Sequence, residues 1–209
     1  MKIILFGSPG SGKGTQAAML AEYLNIKRVS LGDILRGEVE KDSQLGRKVK
    51  SYMEGGLLVP DNLVSRVIEE NINIPGFILE GYPRNLEQAK RLEGILKKSN
   101  ADVDFFIYLD IDQQIIINRL GKRRICRSCG ANYHLEEESS EKEGICDSCG
   151  GELIQRKDDN PEVIKKRWEV FSNESKSILD FYQAKGKLVN IDGRGNKLEI
   201  FERVKKILR

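Results

Sequence analysis

The sequence predicts an α/β fold: a five-stranded parallel sheet with helices on both faces. Short apolar runs alternate with longer stretches of helix formers along the chain. The first apolar run stops at a glycine-rich loop that opens a helix, and one segment, about 123–156, breaks the alternation and holds all four cysteines.

Residues 2–6 are an apolar run ending at Gly7, the pattern of a strand buried on both faces. Apolar positions at helical spacing cover 15–24. After a brief strand at 28–29, Ser30 can N-cap a helix through Arg36, and a further helix covers 45–53. Gly55-Gly56 ends it, and Pro60-Asp61 opens a helix towards Ile72. The third strand, 77–79, ends at Glu80-Gly81 and precedes a charged helix over 86–98. A β-rich run at 104–109 gives the fourth strand, and Asp112 caps a helix to about Arg119. Pro161 suits a first helical turn, and the helix beyond it reaches about Lys185. The fifth strand is 188–191 and the last helix 198–208. Segment 123–156 shows Gly-rich turns, an acidic run from Glu136 to Glu143 and no sheet-like pattern, which marks an inserted mini-domain.

At 209 residues, 39% hydrophobic and 32% charged, the chain can bury a core and is not disordered in bulk. The net charge of +3 balances 35 basic against 32 acidic side chains, so the whole molecule is no electrostatic clamp for nucleic acid. The first apolar run is too short for a secretory or membrane-spanning segment, and a cytoplasmic setting is expected.

Gly7-Ser8-Pro9-Gly10-Ser11-Gly12-Lys13-Gly14-Thr15 lies between a strand and a helix, where a phosphate-binding P-loop belongs. Glycines let successive backbone N–H groups converge on phosphate oxygens without Cβ clashes, Lys13 adds a compact positive charge, and the helix N-terminus adds its dipole. Gly14 intervenes between Lys13 and Thr15, where the general pattern puts the hydroxyl directly after the lysine.

Cys126-Arg-Ser-Cys129-Gly130 and Cys146-Asp-Ser-Cys149-Gly150 are matching knuckles with the spacing of a tetrahedral Cys₄ zinc site. Glycine after the second cysteine allows a positive φ at each turn. Iron in a rubredoxin-like site would use the same ligands. A redox dithiol lacks its thioredoxin-like context, and two disulfides do not suit a reducing compartment. Four protein ligands close the site, so the metal's role is structural.

The glycine loop and three further segments resemble the adenylate kinases, within the nucleoside monophosphate kinases, of the type with a zinc-binding lid. Ser30-Leu31-Gly32-Asp33-Ile34-Leu35-Arg36 is similar to the family's Ser-Thr-Gly-Asp-x-Leu-Arg, with leucine for threonine. Glu80-Gly81-Tyr82-Pro83-Arg84, with Gln88 downstream, is similar to its Asp-Gly-Phe-Pro-Arg, with glutamate for aspartate. Arg156-Lys157-Asp158-Asp159 and the later Arg167 are similar to its Arg-x-Asp-Asp and following arginine.

The resemblance implies a P-loop core over 1–29, 60–121 and 160–209, a helical acceptor-binding segment over 30–59 and a zinc lid over 122–159. It implies reversible Mg²⁺-dependent transfer of the γ-phosphoryl group of ATP to AMP, by a monomer that uses small nucleotides and neither nucleic acid nor membrane. ATP is assigned to Gly10, Ser11, Gly12, Lys13, Gly14, Thr15, Arg119, Arg123, Asn132, Tyr133 and Gly195. AMP is assigned to Leu31, Arg36, Leu57, Leu58, Val59, Gly81, Tyr82, Pro83, Arg84, Gln88, Arg156 and Arg167, with the Tyr82-Pro83 peptide cis or trans. Lys13, Arg84, Arg123, Arg156 and Arg167 are the expected catalytic set, and Thr15, Asp33 and Glu80 lie near magnesium.

His134 and Trp168 are read as a lid-surface residue and a core residue, with no catalytic part. Two other functions remain open from the sequence. One is a kinase with relaxed or pyrimidine acceptor preference, since Leu31 offers no hydrogen bond to a base. The other is a zinc-ribbon nucleic-acid-binding ATPase, against which stand the acidic lid run and the near-balanced charge.

Overall fold

The computed structural model describes residues 1–136 and 139–208. Five strands form one parallel sheet: β1 (Lys2–Gly7), β2 (Lys27–Ser30), β3 (Phe77–Glu80), β4 (Phe105–Asp110) and β8 (Leu188–Asp192), in the order β2-β3-β1-β4-β8. The expected parallel sheet is thus present, its successive strands joined by helical crossovers.

Alternation along β1 sends side chains to two cores. Ile4 and Phe6 join Phe77, Leu79 and Phe106 on one face, beneath α4 (Asp61–Asn71), α5 (Leu86–Lys97) and α7 (Pro161–Ala184). Ile3 and Leu5 join Ile78, Ile107 and Leu109 on the other, beneath α1 (Lys13–Leu24) and α8 (Lys197–Ile207). All of these strand side chains are at most 6% exposed, which is why the runs are continuous and not alternating. A third small cluster joins Ile116 and Leu120 of α6 (Gln113–Gly121) to Ile164 of α7, with the partly buried Trp168 packed against it.

Beyond β2 the chain leaves the sheet for α2 (Leu31–Glu40) and α3 (Gln44–Glu54). Ser30 caps α2 by accepting from the backbone N–H of Asp33 at 3.3 Å. The helix continues past Gly37 to Glu40, beyond the expected end at Arg36, with Leu35 buried in the core. Gly46 of α3 lies so close to the Glu38 carbonyl that any Cβ would collide with it, and this close approach ties the two helices together. Asp112 occupies the N-cap position of α6 without a side-chain cap bond, so it marks the helix start but does not cap it as expected. Tyr82-Pro83 is cis.

The cysteine segment departs from expectation. It contains a small antiparallel sheet, β6-β5-β7, of β5 (Arg123–Cys126), β6 (Asn132–His134) and β7 (Leu153–Ile154). Strands of two to four residues cannot display an alternating pattern, so periodicity was blind to them. Part of the acidic run, Glu137 and Glu138, lies outside the described residues; Glu136 pairs with Lys122 at 2.5 Å. No helix among the described residues is long and apolar enough to cross a membrane.

Candidate active site and metal centre

The carboxyl ends of β1 and β3 open onto a cavity of about 430 Å³, the expected place for a ligand in an open parallel sheet. β1 delivers the glycine loop, and α1 begins at Lys13 itself. Gly10 holds φ +80, and a Cβ there would stand 2.9 Å from Leu120 Cγ, so this turn against α6 needs glycine twice over. Gly12 holds φ +90 with open space where a Cβ would be, on the wall of the cavity. That surface suits close approach of a phosphate.

Lys13 Nζ donates to Ser8 O at 2.7 Å. Burial, then the nearby Arg84, Arg167 and Arg123, lower its pKa to about 7, against the opposing pull of Glu80. Ser11 is fully buried behind the loop, and its N–H donates to Ser8 O, so it braces the turn and does not line the cavity.

Arginines reach the cavity from several separate elements. Arg28 comes from β2, Arg36 from α2, Arg84 from the β3–α5 loop, Arg119 from α6, Arg123 from β5, Arg156 from the segment after β7, and Arg167 from α7. Such crowding of like charge needs carboxylates. Asp33 receives Arg28 at 2.7 Å and Arg36 at 2.5 Å, with Arg156 at 3.6 Å. Burial alone would raise Asp33, but Arg36, Arg28 and Arg156 outweigh it and hold the carboxyl at about 2. Glu80 is also paired with Arg28. Asp158 takes Arg167 at 2.7 Å, and Asp159 takes Arg123 through two bonds, of 2.8 and 2.6 Å. Burial, then Arg123 and Arg36, bring Arg156 down to about 9, still charged at neutral pH.

Thr15, Asn132, Tyr133 and Gly195 line the same cavity. Arg119 donates to the Gly193 and Gly195 carbonyls at 3.2 and 2.9 Å, which fixes the loop beyond β8. His134, half-buried on β6, also lines the cavity.

A second, smaller cavity of about 60 Å³ adjoins the first, sharing Arg36, Arg84 and Arg167. Leu31, Leu35, Leu57, Leu58, Val59 and Gln88 line it. Gln88 is 2% exposed and held at both ends. Its Oε1 accepts from Arg84 N at 2.7 Å, and its Nε2 donates to Asp61 Oδ1 at 2.7 Å. Tyr82 instead points into the core, with its hydroxyl 3.4 Å from Ser65 Oγ, and Pro83 lines a third small cavity beneath Lys13.

In the cysteine segment all four Sγ atoms lie within 4.8 Å of one another. The Cys126–Cys149 and Cys129–Cys146 separations are 3.4 and 3.6 Å. A zinc–thiolate tetrahedron with bonds of about 2.3 Å has edges of roughly 3.8 Å, so the donor set fits that metal. Gly130 and Gly150 take φ +74 and +71, and their N–H groups donate to the Cys126 and Cys146 carbonyls at 3.0 and 2.8 Å. The two knuckles are thus the same turn built twice.

Sequence reasoning did not single out Arg28, Asp61, Asp158 or Asp159 as site residues. The aspartates of 158–159 were visible within a motif, and Asp61 opened a helix. Nothing marked Arg28 among 35 basic residues, since its role depends on which strand lies beside β2.

A family model described as Adenylate kinase matches residues 5–187. Among curated proteins, an adenylate kinase of Methanocella arvoryzae is 46% identical, covering 100% of this chain and 99% of its own. One of Caldanaerobacter subterraneus subsp. tengcongensis is 42% identical, covering 100% and 96%. Another, of Clostridioides difficile, is 42% identical, covering 97% and 95%.

The depressed Lys13 pKa sets a measurable linkage. Phosphate in the cradle favours the ammonium form and moves Lys13 back towards 10.5. Well inside the window from about 7 to 10.5, binding of a polyphosphate ligand should therefore take up close to one proton, falling to about half at either end, and clearly below 7 the uptake should vanish. Calorimetry at pH 8 in buffers of different ionisation enthalpy reads this directly. Zero uptake at pH 8 would rule the linkage out.

Proposed function

The chain belongs to the adenylate kinase family, of the type with a Cys₄ lid, and we propose how its residues divide the work of ATP:AMP phosphotransfer. The observation that carries this reading is the convergence of Lys13 and seven arginines, from separate elements, on one cleft at the carboxyl end of the sheet. Phosphoryl transfer asks for positioning and charge neutralisation more than for proton chemistry, and this cleft supplies both.

The glycine loop, Lys13 and Thr15 receive the donor phosphates, with Arg119, Arg123, Asn132, Tyr133 and Gly195 around the donor nucleotide. Arg36 and Arg84 hold the acceptor phosphate. Leu31, Leu57, Leu58, Val59, Gly81 and Gln88 enclose AMP, while Tyr82 and Pro83 support the turn that presents Arg84. An acceptor phosphate oxygen attacks the γ-phosphorus, the bond to the β–γ bridging oxygen breaks, and ADP leaves. The nucleophile is already anionic, so no side chain needs to remove a proton. Arg123, Arg156 and Arg167 spread over the equatorial oxygens as charge redistributes, with Lys13 at the leaving side.

Asp33, held ionised by its arginines, together with Glu80 and Thr15, makes a set of hard oxygen donors that fits the water shell of magnesium. When bound, that ion neutralises charge on the donor phosphates. The four cysteines suit zinc as a structural ion, because the ligand set is closed. We assign 1–29, 60–121 and 160–209 to the core, 30–59 to the acceptor segment and 122–159 to the lid, whose closure excludes water from the cleft. The working form is a monomer acting on small nucleotides in the cytoplasm.

Three measurements test this reading. In a coupled assay with ATP, AMP should turn over faster than CMP, UMP or GMP, and a faster pyrimidine would overturn the acceptor assignment. Arg123→Ala should lower kcat by roughly a hundredfold. A loss below about tenfold in a folded variant would remove Arg123 from the chemistry. Metal analysis should give one ion per chain, and a chelator should lower the melting temperature, since so small a lid has little core of its own. Unchanged melting after verified metal removal contradicts the structural role.

A further inference from the structure

Tyr133 faces two ways. It sits at the centre of β6, paired with Arg124 of β5, and lines the cavity at the glycine loop. Its hydroxyl, however, reaches the cysteine cluster: it accepts from the Asp147 N–H at 2.9 Å and lies 3.4 Å from Cys146 Sγ. An oxygen that accepts from a backbone N–H has its own proton available for the sulfur, and a metal-bound thiolate is an acceptor only. The Asp147 N–H belongs to the second knuckle itself, so the hydroxyl is fastened to that turn at two points. A phenol ring is a rigid plate placed by two torsions, and its hydroxyl oxygen lies at the end of its long axis. Holding the hydroxyl on the knuckle therefore fixes the line along which the ring crosses to the cavity wall.

We infer that Tyr133 is a positioning residue that couples the metal centre to the donor nucleotide, its hydroxyl holding the second knuckle and its ring the nucleotide side. This rests on the reading of the four cysteines as a metal centre and of the cavity as the donor site. The metal-loaded knuckle sets the ring for the nucleotide, and a nucleotide against the ring holds the hydroxyl on Cys146. Thermodynamic linkage makes the effect reciprocal: a donor analogue must tighten the metal by the same factor as the metal tightens the analogue. The alternative is that Tyr133 only fills space between β6 and the knuckle, in which case its hydroxyl matters to neither ligand.

The test starts from the metal-loaded protein. Metal transfer to a chromophoric chelator is titrated with and without a non-hydrolysable ATP analogue, for the wild type and for Tyr133→Phe. In wild type the analogue should shift the chelator midpoint upwards. Tyr133→Phe should lose about tenfold in metal affinity, in the range usual for outer-shell partners of a metal ligand, and the analogue's effect should largely disappear. With cobalt in place of the native ion, the thiolate-to-metal absorption band should move in the variant, which a space-filling role would leave unchanged. A variant with wild-type chelator midpoint and cobalt spectrum overturns the inference, as does a wild type indifferent to the analogue. Purified protein that holds no stoichiometric metal overturns the metal-centre reading itself, and that outcome is separable because it appears before any variant is made.

Discussion

The bidentate pair between Arg123 and Asp159 is the contact on which the arrangement of the cleft depends. Arg123 opens β5, and Asp159 precedes α7, so one ion pair closes the base of the whole cysteine-bearing segment. The Asp159 side chain is fully buried, and a buried carboxylate without its partner would cost several kcal/mol, on the order of 3–5. The pair also lets a strongly basic cleft exist. Arg167 lies 3.6 Å from Asp159 and closer still to Asp158, so two adjacent aspartates hold two arginines that would otherwise repel one another. The guanidinium forks are thereby pre-set, and little conformational freedom remains to be lost when phosphates arrive.

The same logic recurs on the opposite side of the cleft, where Asp33 and Glu80 share Arg28. Glutamate stands where the family usually places aspartate, and its longer side chain is met by a cation from the neighbouring strand. β2 pairs with β3 in parallel register, Ser30 beside Glu80, which brings Arg28 onto the glutamate. The carboxylate lies against the glycine loop, where a Cβ on Gly14 would come within 3.4 Å of it. At the acceptor end the leucine in place of threonine is buried in an apolar wall. The polar group of that cavity wall is Gln88, whose amide Asp61 and the Arg84 backbone hold in one orientation.

The lid is stabilised on different terms from the core. Two hydrophobic faces hold the parallel sheet and need no ligand. In the lid, strands of two to four residues and two exposed cysteines leave little apolar surface to bury, and the knuckles hold it. A unit that small is organised by its paired cysteine turns more than by packing.

The sequence by itself determined the order of strands and helices, the phosphate cradle, the paired knuckles and the family arginines. Each is written in local pattern: apolar runs, glycines before Lys13, and cysteines at fixed spacing. Many of the residues it singled out line the two cavities; Ser11, whose N–H is used within the loop, and Tyr82, whose ring belongs to the core, do not. Tertiary structure alone decided which carboxylate meets which arginine. Arg28 and Glu80 are 52 positions apart and Arg123 and Asp159 are 36 apart, and only strand register and the return of the chain after the cysteine segment make them partners. The short lid strands and the inward turn of Tyr133 towards Cys146 were hidden for the same reason: a hydrogen bond across folded elements leaves no period in the chain.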